Sequence, residues 1–126
     1  MEVLLREKPD IVVYGDTNSA LGGALAAVKA GFRVAHMEAG LRSFDMNMPK
    51  EINRRVIDHI STLLFAPTET VLSNLRNENV PGKIYLVGDV HVYILKRWLP
   101  IAGERSSILE RLGLRSRDYA CTGYST

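Results

Sequence analysis

The 126-residue sequence has the length of one ordinary domain, and its 46% hydrophobic and 24% charged residues exclude a disordered or fibrous chain. Its 16 Lys and Arg against 14 Asp and Glu leave +2, too small and too dispersed a charge for a nucleic-acid surface. No apolar run approaches the ~20 residues of a membrane span, the first residues lack the pattern of a signal peptide, and the single Cys121 cannot close an internal disulfide, so the expected setting is a reducing cytoplasm.

Asp10 to Tyr14 is a short β-branched run between Pro9 and Gly15. It reads as a buried strand, because its apolar residues do not alternate with polar ones. From Asn18 to Ala30, Leu21, Ala24, Leu25 and Val28 recur at helical spacing, and Gly31 suits the left-handed residue beyond a helix end. Gly22 and Gly23 weaken that helix but would allow close packing on a sheet. A second strand is predicted over Phe32–Met37. After a loop, Pro49 suits a first helical turn, with Ile52, Val56 and Ile60 on one face of a helix that reaches Ser61. Leu63–Ala66 is a third strand. Thr68 is a plausible cap for a helix over Glu69–Asn77 with Val71, Leu72 and Leu75 inward, and Lys83–Val87 is a fourth strand.

This rhythm implies an α/β fold, a Rossmann-like parallel sheet with right-handed crossovers and helices on both faces. Beyond Gly88 the pattern thins. Val90–Trp98 reads as a helix, Pro100–Arg105 as a linker, and Ser107 to Glu110 as a capping box opening a short helix that stops at Gly113. The tail from Asp118 begins like another strand.

Ligands of open parallel sheets bind outside the carboxyl ends of the strands, and two such ends carry acids here. Asp16 follows the first strand and Glu38 the second. Neighbouring strands lie about 4.8 Å apart, so the two carboxylates can face one crevice, where like charges push their pKa values apart and let one act as base while the other holds a proton. Each acid also has a structural reading: Asp16 as a helix cap, Glu38 paired with Arg42, and Glu51 in an ordinary surface ion pair with Arg55 four residues on. His36, inside an apolar strand, reads first as a satisfied core group. His59 and His91 show no metal-ligand spacing, and neither G-x-G-x-x-G, G-x-x-x-x-G-K-[ST] nor a G-x-S-x-G elbow is present.

Lys8 to Ser19, with its Gly15-Asp16-Thr17 turn, and His36-Met37-Glu38-Ala39-Gly40-Leu41-Arg42-Ser43 closely resemble the non-hydrolysing UDP-N-acetylglucosamine 2-epimerases. Pro49-Lys50-Glu51-Ile52-Asn53-Arg54-Arg55, Phe65 to Thr70 and Val87-Gly88-Asp89 continue the match in order, so that the resemblance covers about residues 1 to 119. It implies part of the first of two Rossmann-like domains of a GT-B-type protein, with the family's opening strand expected ahead of Met1 and its second domain after the chain. The implied reaction inverts C2 of UDP-GlcNAc to give UDP-ManNAc, by elimination of UDP to 2-acetamidoglucal and re-addition, with no metal or redox cofactor, in the supply of cell-surface polysaccharide.

By the same resemblance Asp16, Glu38 and Glu51 are the catalytic carboxylates. The family's third acid is the first Glu of Pro-Glu-Glu-x-Asn-Arg; here that place is Lys50, and Glu51 is its neighbour, a ~100° step around the helix. A family His-Arg pair expected near residue 124 has no counterpart, and the usual Gly-Asn-Thr is Gly88-Asp89-Val90. Two expectations follow. In the complete protein this segment serves an epimerase that takes UDP-N-acetylglucosamine; alone it is expected to be inactive. The alternative is a non-catalytic module that self-associates, as a homo-oligomer, or binds a partner.

Overall fold

The computed structural model describes residues 2–115, and within them the chain alternates helix and strand from its start: α1 (Glu2–Glu7), β1 (Ile11–Tyr14), α2 (Asn18–Lys29), β2 (Val34–Met37), α3 (Pro49–Ile60), β3 (Leu63–Ala66), α4 (Glu69–Asn77) and β4 (Lys83–Leu86). The four strands form one parallel sheet in the order β1-β2-β3-β4, with Val13 beside His36, His36 beside Leu64 and Leu64 beside Ile84. Because each crossover steps to the next strand in the same direction, a common right-handed crossover puts α2, α3 and α4 on one face. That face holds Val13, Val34, Leu64 and Ala66, packed on Ala24 and Ala27 of α2, Ile57 of α3, and Val71, Leu72 and Leu75 of α4.

The opposite face carries Ala35, Leu63 and Phe65, against which Val3 and Leu4 of α1 pack. Helix α1, which its short apolar run gave no reason to expect, is tied down by its last residue: Glu7 accepts from the Tyr85 hydroxyl at 2.7 Å and from Lys83 at 3.1 Å. Helices flank both faces; within residues 2–89 three lie on one side and only this short one on the other.

Local signals explain most boundaries. Thr17 caps α2 by accepting from the Ala20 N–H, Thr68 caps α4 by accepting from that of Val71, and Pro49 occupies the first turn of α3. Several expectations are corrected. Strand β1 is not enclosed: only Val13 is buried, and Ile11, Val12 and Tyr14 are exposed, because β1 pairs with β2 alone among the described residues. Gly22 and Gly23 pack on nothing; a Cβ on either would meet open space. Of the apolar face expected of helix α3, only Ile60 packs on the core. Ile52 and Val56 are exposed, while Glu51, Asn53, Ile57 and Asp58 are buried.

From Val90 onward the described residues form a unit of their own, α5 (Val90–Arg105) and α6 (Ile108–Arg111), with no buried residue. The expected linker at residues 100–105 is helical, since a proline removes one backbone bond from a helix without having to end it. Ser107 precedes α6 but its side chain makes no capping bond. The strand expected from Asp118 lies outside the described residues. No described helix is long and apolar enough to cross a membrane.

Candidate active site

The carboxyl ends of β1 and β2 feed two loops that α3 crosses with its charged face. Asp16 lies just beyond β1 and is less than one-fifth exposed. It is not the cap of α2, a role Thr17 takes. Its carboxylate instead receives Arg54 of α3, with Nε and Nη2 both on Oδ2 at 2.7 and 2.6 Å. Its backbone carbonyl accepts from Asn53 Nδ2 at 2.9 Å, which also reaches Asn18 Oδ1. Two adjacent residues of α3 therefore fix both the backbone and the side chain of Asp16.

Glu38, directly after β2, is half-buried and does not pair with Arg42. It accepts from the Tyr14 hydroxyl at 2.8 Å across the two strand ends, and its other carboxylate oxygen passes 3.9 Å from where a Cβ on Gly15 would stand. Partial burial and the Glu38 and Asp89 carboxylates push the Tyr14 phenol up to about 12, so it remains a proton donor through the neutral range. Glu38 also has a left-handed backbone, φ +62°, which a residue with a Cβ holds only when its surroundings impose it. Two residues later Gly40 (φ +84°) passes so close to α4 that a Cβ would lie 2.6 Å from the Leu75 side chain. The loop is pressed onto α4 as it leaves the sheet.

Glu51 is fully enclosed rather than part of a surface pair. One oxygen accepts from the Ser43 N–H and hydroxyl at 2.8 and 3.1 Å, the other from Arg55 at 2.9 Å, and Arg54 stands 3.6 Å away. Burial would raise its pKa, but the Ser43 and Arg55 donors outweigh it and hold the carboxyl below its ordinary value. Lys50, the preceding residue, is half-buried.

Asp58, unmarked in the sequence, is the centre of a second buried group. It meets His36 Nδ1 at 2.7 Å, the Gly40 N–H at 3.1 Å and Arg42 at 2.8 Å. Arg42, its side chain wholly enclosed, also forks onto both oxygens of Glu78 at 2.9 and 2.7 Å. Burial disfavours that charge, yet Glu78 and Asp58 more than compensate and hold the guanidinium above its ordinary value; Glu78 in turn is held low chiefly by Arg42. Glu78 reaches Arg55 at 3.4 Å, and His36, buried as expected of a core histidine, reaches the Gly15 carbonyl through Nε2 at 3.0 Å. The two groups thus close into one ring, from Asp16 through Arg54, Glu51, Arg55, Glu78, Arg42, Asp58 and His36 back to the Asp16 turn. Every buried polar side-chain atom described has a partner.

Sequence reading missed Tyr14, Arg54 and Asp58. The signal for the last two was present: Glu51, Arg54, Arg55 and Asp58 recur at helical spacing, an inward stripe made of charges. Among the described residues no group of His, Cys, Asp and Glu has a metal-holding arrangement. An open depression of about 410 Å³, lined by residues 59–62 and 81–83, lies at the other ends of the strands, away from these acids.

The family model of UDP-N-acetylglucosamine 2-epimerase matches residues 1–123. A UDP-N-acetylglucosamine 2-epimerase homolog of Methanococcus maripaludis is 51% identical over 94% of this chain and 34% of its own length. The UDP-2,3-diacetamido-2,3-dideoxy-D-glucuronate 2-epimerase of Pseudomonas aeruginosa is 55% identical over 71% of the chain and 26% of its own. A crystal structure of Methanocaldococcus jannaschii UDP-GlcNAc 2-epimerase, in complex with UDP-GlcNAc and UDP, superposes with a TM-score of 0.74 at 52% identity, over 88% of this chain and 31% of that one. The chain spans about a third of the length of the relatives it matches.

Proposed function

This chain belongs to the UDP-N-acetylglucosamine 2-epimerase family, and we propose that it supplies one wall of a site that inverts C2 of a UDP-linked 2-acetamido sugar, UDP-GlcNAc to UDP-ManNAc. The observation that carries this reading is the placement of Asp16 and Glu38 at the carboxyl ends of adjacent parallel strands, each oriented by a side chain from outside its own loop. Inversion needs a base to take the C2 proton while the C1–O bond breaks, its electron pair leaving with UDP and a C1=C2 double bond forming. The reverse step returns a proton to the opposite face of C2 as the UDP oxygen adds to C1. Two acids of different environment suit that exchange, one accepting and one donating.

Asp16, its Oδ2 held by Arg54, is assigned as the base. Glu38, which accepts from the Tyr14 hydroxyl, is assigned with it to the other face of C2. Glu51 has its oxygens engaged with Ser43, Arg55 and Arg54, and contributes by holding the loop after β2 and aiming Arg54. The relatives' names supply two substrates that share the 2-acetamido group and the UDP, and their common C2 chemistry is what this reading takes from them. The setting is the cytoplasm and the product's use the assembly of surface polysaccharide.

A chimera tests the reading: this chain replaces the matching stretch of the M. jannaschii enzyme, and UDP-GlcNAc is incubated with it in D₂O. Deuterium should enter C2 with the chimera and not with the 126-residue chain alone. Exchange by the chimera that persists in both Asp16→Asn and Glu38→Gln would overturn the assignment.

A second reading is favoured by the exposed edge and bare face of β1, with Val12 and Tyr14 on its surface. An unpaired strand edge is a template for another chain. Self-association of the chain through β1 would appear in light scattering as a dimer or larger species at micromolar concentration; a monomer throughout the range would remove it.

A further inference from the structure

Both ring nitrogens of His36 face acceptors: Nδ1 a carboxylate oxygen of Asp58 at 2.7 Å, Nε2 the Gly15 carbonyl at 3.0 Å. A neutral imidazole has one N–H, so making both bonds takes a proton on each nitrogen. The other oxygen of Asp58 already receives two donors, the Gly40 N–H and Arg42, which matches a carboxylate facing an imidazolium. The charges of the ring agree. Counting His36 as a cation, the four cations His36, Arg42, Arg54 and Arg55 match the four carboxylates Asp16, Glu51, Asp58 and Glu78. Buried charges are retained when they are paired and hydrogen-bonded.

The geometry points to His36, doubly protonated and braced by Asp58, as the positioning residue that sets the separation of Asp16 and Glu38. This rests on the reading of those two acids as the reacting groups. The Gly15 carbonyl belongs to the turn that carries Asp16, and Gly40 lies two residues beyond Glu38. One ring and one carboxylate therefore bridge the two strand ends through hydrogen bonds to the Gly15 carbonyl and the Gly40 N–H. The bridge also helps account for the left-handed backbone of Glu38, since the Gly40 bond to Asp58 pulls the following turn inward.

Two substitutions divide the bridge. In His36→Gln the amide nitrogen takes the place of Nε2 and donates to Gly15, leaving Asp58 unmatched. In His36→Asn the shorter amide stands where Nδ1 was, donates to Asp58 and releases Gly15. The experiment records the imidazole and backbone N–H resonances of the whole chain at neutral pH, and the C2 exchange of the chimera. Two ring N–H protons are expected for His36 in the parent. The Gly15 and Asp16 amides should move in His36→Asn and stay in His36→Gln, with Gly40 moving in the latter. In the chimera both variants should lower kcat about 10²-fold with KM held, the cost of a misplaced carboxylate, His36→Asn by releasing the Asp16 turn and His36→Gln by releasing the Gly40 turn.

A single ring N–H in the parent, or Gly15 and Asp16 amides that stay put in His36→Asn, would overturn the inference. A parent chimera without C2 exchange would instead overturn the epimerase reading, while the ring protons and amide shifts still decide the bridge.

Discussion

Helices α3 and α4 pack on the same face of the sheet, yet α4 turns Val71, Leu72 and Leu75 inward, whereas α3 buries Glu51, Asn53 and Asp58 with Ile57 and leaves Ile52 and Val56 outside. Both begin with good start signals and both are amphipathic by pattern. The difference lies in what each covers. Helix α4 closes over Leu64 and Ala66, where apolar contact is the stable choice; α3 crosses the loops leaving β1 and β2, whose backbone groups and acids need partners. Desolvating charge is costly, and a buried ion pair is often no more stable than apolar residues of the same volume. A charged inward face therefore marks a stretch shaped by what its charges hold in place.

The largest effects come from breaking each face at its centre. Asp58→Ala strands His36 and Arg42 without their carboxylate and should cost about 3–5 kcal/mol. Leu75→Ala leaves a void in the apolar cluster and should cost about 2–5 kcal/mol. Denaturant midpoints at unchanged slope measure both; an Asp58→Ala chain as stable as the parent would show the polar face to be ornamental.

Glu51→Gln comes next, at about 1–3 kcal/mol, since one oxygen's donors face an amide in place of a carboxylate. Its pH dependence sharpens the contrast. Glu51 and Glu78 are both held below the ordinary carboxylate value of 4.5, so their contribution is present above that pH and disappears as the pH falls through their folded values. Acid unfolding followed by circular dichroism should be steeper for the parent than for Glu51→Gln, and Leu75→Ala should shift the whole curve without flattening it.

The smallest effects are at the ends and the outer faces. Thr17→Ala and Thr68→Ala each remove a cap and should cost about 1 kcal/mol in thermal or denaturant unfolding. Ile52→Ser, which the apolar pattern alone would place in the core, should change stability by less than about 0.5 kcal/mol. A cost of several kcal/mol there would mean that α3 sits in solution the way its apolar residues suggest.

The same contrast explains what was legible beforehand. Where apolar burial decides, the pattern is read correctly: the four strands, the Thr68 cap and the inward face of α4 all follow from residues visible in order. Counting apolar residues misassigned α3 because its stripe is made of Glu51, Arg54, Arg55 and Asp58, which meet partners brought in by the sheet and not by the helix. Asp16 and Glu38 could be placed at strand ends, but their partners could not: Arg54 is 38 residues from Asp16 and Tyr14 is 24 from Glu38. Helix α1 is not legible because six residues with one run of three apolar ones carry no period, and it is held by Val3 and Leu4 on the sheet and by Glu7 meeting Tyr85 and Lys83. Pro100 lies inside α5, because a proline signals a break only on average.

The central claim is that Asp16 and Glu38 are held for chemistry and the charged face of α3 holds them. The most direct measurement pairs, for Asp16→Asn and Glu38→Gln, the rate of deuterium entry at C2 in the chimera with the denaturant midpoint of the same protein. The account predicts rates lower by roughly 10²–10⁴, the usual worth of a positioned acid or base, with midpoints within about 1 kcal/mol of the parent. Rates that follow the midpoints, falling only as far as stability falls, would contradict it and leave two structural acids.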